Sequence, residues 1–136
     1  MRNIVVDSNI LFSALRPNSR TRNKILNSED HYFTANFLIV EIFKHKEAIL
    51  KKSKASEEET LVFLSKILTR IQFISEENIS TANFIAAYRL CKDIDEKDSV
   101  FVALSLELGY ELWTRDAVLK SGLRKRGFQN FYDENE

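Results

Sequence analysis

Short apolar runs alternate along this chain with longer segments whose apolar positions recur every three or four residues. That is the pattern of buried strands set between amphipathic helices. Residues 3–6 (NIVV) are a β-branched run and read as a buried strand. Asp7 ends it, and Asp7 or Ser8 caps a helix through Ile10, Leu11, Phe12 and Leu15. Arg16-Pro17-Asn18-Ser19 breaks that helix, and a second short one starts at Arg20. Residues 31–34 read as a second strand and 37–51 as a longer helix opened by Thr34 or Asn36. Ser56 followed by three glutamates is a helix start, with acids where the helix dipole favours them. Its helix carries Leu61, Leu64, Ile67 and Leu68. Residues 71–74 (IQFI) read as a third strand. The helix over 79–90 is expected to bury Phe84, Ile85, Tyr88 and Leu90.

The chain then enters its most organised stretch, DIDEKDSVFVALSLELGYELWTRD, from Asp93 to Asp116. Asp95 starts a helix, residues 99–108 fill it, Gly109 stops it, and 110–114 form a fourth strand. A basic helix follows over 117–126, then a last edge strand over 128–132 and a frayed tail over 133–136. Alternation of this kind predicts an α/β domain with a mainly parallel sheet, and the whole of 1–136 reads as one domain. In such sheets, sites form beyond the carboxyl ends of the strands, where the strand order reverses.

Composition narrows the function. The 136 residues are 44% hydrophobic, enough for a core, and carry 20 basic against 20 acidic side chains. With net charge zero, a nucleic-acid role must rest on a local patch. The single cysteine, Cys91, excludes an internal disulfide and a cysteine-built zinc site, and it suits a reducing cytoplasm. The N-terminal apolar run is too short for a signal peptide, and no run reaches membrane-spanning length, so a soluble cytoplasmic protein is expected. Gly-rich phosphate loops and nucleophilic serine or cysteine motifs are missing from the sequence.

Acids carry the candidate chemistry. Asp7 and Asp116 each follow a strand directly, and each also suits a helix cap. Asn9 adds a polar group near the first, and Thr114 lies two residues before the second. Glu41 sits inside FLIVEIF, where an ionised carboxylate needs a partner or a cation. Its plainer reading is a pair with Lys44 or His45, one turn on. Asp95 and Asp98 compete at one helix start. Asp95 reads as the cap, and Asp98, ahead of VFVAL, as the site residue. Carboxylates without thiolates select a hard cation, Mg²⁺ or Mn²⁺, and suit attack of water on a phosphodiester. A phospho-accepting domain would need an acidic pair after the first strand, and Asp7-Ser8-Asn9 supplies one acid.

IVVDSNILFSAL, the glutamate of FLIVEIF, DEKDSVFVALSLELG and LWTRD, in that order, resemble the PIN-domain family. They look most like its VapC-like toxin ribonucleases of toxin–antitoxin systems. The resemblance implies a parallel sheet of about five strands with helices on both faces, the first and fourth strands adjacent. It implies Asp7, Glu41, Asp98 and Asp116 as the catalytic and metal-holding acids, with Asp95 matching a further acid of less settled role. It also implies a Mg²⁺- or Mn²⁺-dependent endoribonuclease, inhibited by a small antitoxin and often a homodimer. A DNA or structure-specific nuclease, or a catalytically weak RNA-binding module, are the alternatives on the same fold. Ser8 stands where threonine is usual, and AVLKSGLRKRG replaces the usual apolar continuation after Asp116. For RNA contact the first candidates are Lys120, Arg124, Lys125 and Arg126. Arg16, Arg20, Arg22 and Lys24 follow.

Overall fold

The computed structural model describes residues 1–135, with every side chain among them except that of Ser53. Its four strands are β1 (Asn3–Val6), β2 (His31–Ala35), β3 (Ile71–Ile74) and β4 (Glu111–Trp113). All pair in parallel in the order β3-β2-β1-β4. Ile4, Val5 and Val6 are fully shielded from solvent, as a central parallel strand covered on both faces requires. Seven helices flank the sheet among the described residues: α1 (Ser8–Ala14), α2 (Arg20–Asn27), α3 (Phe37–Ser53), α4 (Glu57–Leu68), α5 (Thr81–Cys91), α6 (Ser99–Leu108) and α7 (Ala117–Lys125).

From β1 the chain steps outward through β2 to β3, then crosses back to place β4 on the far side of β1. The strand order therefore reverses between β1 and β4. Their register pairs Val5 with Leu112 and Val6 with Trp113. Asp7 thus leaves β1 beside Thr114, and Asp116 comes two residues later. The expected neighbour relation of the first and fourth strands holds.

α6 is the central helix. Five successive residues, Phe101 to Ser105, are buried, so it is apolar nearly all round and packs on β1, β2 and β4. The buried Ser105 hydroxyl donates to the Tyr110 carbonyl at 2.6 Å. Gly109 closes the helix at φ 71°, in the left-handed region. α5 packs on α6 through Ala87 and Cys91, small residues that let the two helices approach.

Three arginines close the carboxyl ends of helices, where carbonyls lack partners. Arg22 donates to the Ala14 and Arg16 carbonyls and lies over the Phe63 ring. Arg70 donates to those of Ile25, Ser28 and Asp30. Arg126 donates to those of Arg89, Leu90 and Lys92. Arg22 and Arg126 are thereby engaged in holding the fold.

Three expectations change. The sheet has four strands, not five: over residues 128–132 only a single bridge, Leu112 to Phe131, joins β4. That bridge consists of two hydrogen bonds, from the Leu112 amide to the Asn130 carbonyl and from the Tyr132 amide to the Leu112 carbonyl. The tail is held at Glu134, which accepts from the Trp113 indole and the Arg115 guanidinium, while Glu136 lies outside the described residues. Ile85 and Tyr88, expected in the core, face solvent. On α5 the packed side is set by Ala87 and Cys91, which periodicity alone had not favoured over the larger residues.

Gly109 has open space where a Cβ would go, so a substitution there costs only the left-handed backbone. Gly109→Ala is expected to lower stability by about 1 kcal/mol. A denaturant midpoint unchanged from wild type would show that α6 does not depend on this cap.

Candidate active site

Three capped helix starts and one carboxylate without a capping bond build the site. Asp7 caps α1, accepting from the Ile10 amide at 3.0 Å. Asp116 caps α7, accepting from the Leu119 amide at 3.0 Å. Asp95 caps a 3₁₀ turn over Glu96–Asp98, accepting from the Lys97 amide at 3.1 Å. Each cap ties one oxygen to a helix start and so orients its carboxylate. Asp98 occupies the N-cap position of α6 and makes no such bond. Gly122 allows α7 close against Ile94, the residue before Asp95, which brings this turn up to Asp116.

Asp95, Asp98 and Asp116 each offer an oxygen within 4.8 Å of the others, all three half-buried. Asp7 lies behind them, buried, with the Thr114 hydroxyl as a partner. Burial raises the Asp7 carboxyl above its usual range, Asp116 adds to this, and the Thr114 bond and the Ile10 and Asn9 amides oppose it. Asp98 is pushed up to about 7, by burial first and then by the charges of Asp7, Asp95 and Asp116. Four acids therefore share one small volume at the switch point of the sheet.

Glu41 stands elsewhere. It lies in the same cleft of about 460 Å³ as Asp95, Asp98 and Asn9, but outside the tight group of three. Its carboxylate meets His45 Nε2 at 3.1 Å, the one-turn pairing that was its plainer reading. Desolvation singled out Glu41 on the premise of a helix buried on most sides. α3 is not so buried, since Val40 is 57% and Phe43 69% exposed. Asp95, read from sequence as a cap and as a further acid of less settled role, is a cap and stands in the group of three. Its signal lay in the spacing Asp95-x-x-Asp98 across a single turn. Thr114, two residues from Asp116 on an extended chain, reaches Asp7 and also accepts from the Asp116 amide at 3.3 Å.

The basic candidates separate by position. Lys120 and Arg124 lie over the Phe131 ring, and Arg126 is committed to α5. Arg16, Lys52 and Lys97 instead line the cleft that Glu41, Asp95 and Asp98 also line.

This donor set fits a hard divalent cation. It consists of carboxylate oxygens alone, three of them mutually close, and Asp98, raised by burial first, is raised further by like charge that a dication would relieve. The family model for the PIN domain matches residues 5–134. The chain belongs to the PIN domain family, whose members are generally nucleases and typically use divalent metal ions. Among curated proteins, none matches the chain.

The Asp98 shift has a consequence for stability in metal-free buffer. Its folded-state pKa of about 7 lies above the usual 3.8, so the native state binds the proton more tightly than the unfolded chain. Asp98 then destabilises the fold progressively as pH rises from about 4 through 7. Asp98→Asn should melt higher than wild type at about pH 8 and at nearly the same temperature near pH 4. A gap independent of pH would show that the fold does not raise the Asp98 carboxyl.

Proposed function

We propose that the protein is a metal-dependent endoribonuclease, the toxin of a toxin–antitoxin pair. The observation that carries the nuclease reading is the gathering of Asp7, Asp95, Asp98 and Asp116 at the switch point of a PIN domain. Asp95, Asp98 and Asp116 would hold Mg²⁺ or Mn²⁺, with Glu41 across the cleft. Such a cation activates water and neutralises the phosphate under attack. Asp7 supports the group from behind, fixed by Thr114 and the α1 amides. The free carboxylate oxygens orient the attacking water by accepting its hydrogen bonds. Asn9, exposed in the cleft beside them, is placed to donate to the substrate.

RNA is favoured over DNA by the closeness of the motifs to toxin ribonucleases, and a direct comparison decides it. Cleavage of single-stranded RNA in Mn²⁺, abolished by EDTA, is expected to exceed cleavage of DNA of the same sequence. Asp98→Asn should reduce the rate by roughly two orders of magnitude or more, the scale on which removing an electrostatic stabiliser acts. Asp95→Ser retains a capping oxygen, so it should stay folded and lose metal affinity. An active, fully metal-responsive Asp95→Ser would remove Asp95 from the metal site. Apart from activity, Mn²⁺ at a hundredfold excess over its Kd should stabilise the wild type by about 2.7 kcal/mol. Preference for DNA, or metal-independent cleavage, would overturn the reading.

A partner is supported by the apolar side chains that α3 and α4 leave in solvent, among them Val40, Phe43, Leu61 and Val62. We read them as the seat of a small antitoxin or of a second copy, in a cytoplasmic protein. No helix among the described residues is long and apolar enough to cross a membrane. Phe43→Lys should abolish capture of a protein encoded beside this gene, or make a dimer monomeric in gel filtration. An unchanged complex would place the interface elsewhere.

A further inference from the structure

The cleft extends beyond the acids. One wall is a single face of α3: Glu41, His45, Ile49 and Lys52, spaced by three and four residues. The other is α1 and its exit: Ser8, Phe12 and Arg16, spaced by four. Both helices start at the carboxyl edge of the sheet, directly after β1 and β2, where the acids lie. Their later residues therefore carry the cleft away from the acids. The rings of Phe12 and His45 meet edge-on at 5.8 Å in the middle.

Charge is distributed along this path. Asp95, Asp98 and Glu41 stand at the near end with Lys97 beside them, and Arg16 and Lys52 stand at the far end, both exposed. Among the described residues neither cation is paired with a carboxylate. Glu41 to Lys52 is eleven residues of helix, about 16 Å at 1.5 Å per residue. That is several times the length of a hydrogen bond, so one phosphate cannot touch both ends.

We propose that Arg16 and Lys52 form a distal phosphate subsite, a few nucleotides from the bond that is cut, with an unpaired base seated on Phe12 and His45 between. The proposal rests on the nuclease reading and names the occupant of the cleft as a single strand. Cations at one end take a backbone phosphate, and aromatic rings suit the face of a splayed base, which a duplex keeps stacked. The acids at the other end repel the strand until their own charge is neutralised, so the distal pair holds it in register meanwhile.

The test uses a trinucleotide and a dodecanucleotide of single-stranded RNA in Mn²⁺. It compares wild type, Arg16→Gln/Lys52→Gln, and the control Lys120→Gln/Arg124→Gln. On the longer RNA the first double variant should raise KM about tenfold, with kcat within about twofold. On the trinucleotide it should match wild type, and the control should match wild type on both. Two lost contacts should also make the logarithmic salt dependence of binding shallower by about 1.4. A double variant equal to wild type on the longer RNA, or equally impaired on the trinucleotide, overturns the subsite while leaving the nuclease intact. So does a control that loses as much. Fluorescence anisotropy of the longer RNA with Ca²⁺ in place of Mn²⁺ separates the two ideas. Binding that weakens in the double variant, with no cleavage by wild type, overturns the nuclease and supports the subsite. No binding by wild type overturns both.

Discussion

Like charges gathered in a small volume are the constraint around which this protein is arranged. Asp7, Asp95, Asp98 and Asp116 repel one another, and this repulsion, after burial, pushes the Asp98 carboxyl up to about 7. The fold tolerates this because Asp7 and Asp116 face helix starts, whose amides and dipole favour anions, and Asp95 faces the amides of a 3₁₀ turn. Asp98 lacks that support, and burial followed by its neighbours' charges pushes it up to about 7. Capping and site-building are therefore not alternatives here. A carboxylate has two oxygens, and the cap fixes one while leaving the other aimed at its neighbours.

Rigid supports lie just behind these acids. Trp113, buried at the end of β4, packs against Tyr32 and Tyr132, and its indole reaches Glu134. Arg115 joins Glu134 to the Ser13 hydroxyl of α1, so the tail, β4 and α1 are tied together beside Asp116. Lys24 adds a contact to the Glu134 carbonyl at 3.4 Å. A tail that composition alone describes as frayed is thus part of the frame that sets the distance between Asp7 and Asp116.

α3 faces two environments. One side lines the cleft with Glu41, His45 and Lys52, and the other leaves Phe43 and its neighbours in water. The exposed apolar side explains why FLIVEIF looks buried in sequence. Its apolar residues are numerous enough for a core helix, yet Leu38 and Ile42 are the ones that reach the core.

By itself the sequence determined the alternation of strands and helices, the buried β1 run, the glycine stop at Gly109 and the acids at strand ends and helix starts. These are local properties, readable from periodicity and from cap chemistry. It also placed Asp98 correctly as the acid with no capping duty. The tertiary structure decided the rest. Whether β4 lies beside β1 depends on a crossover over the whole sheet, and that alone brings Asp116 to Asp7. The same crossover puts Asp95 into the acidic group and leaves Glu41 across the cleft beside His45. Which cations line the cleft was also decided by packing. The dense run after Asp116 stacks on Phe131 or closes α5, whereas Arg16 and Lys52, thirty-six residues apart, come to one cleft. Spacing along a chain fixes neighbours within one element, and the packing of elements fixes all the others.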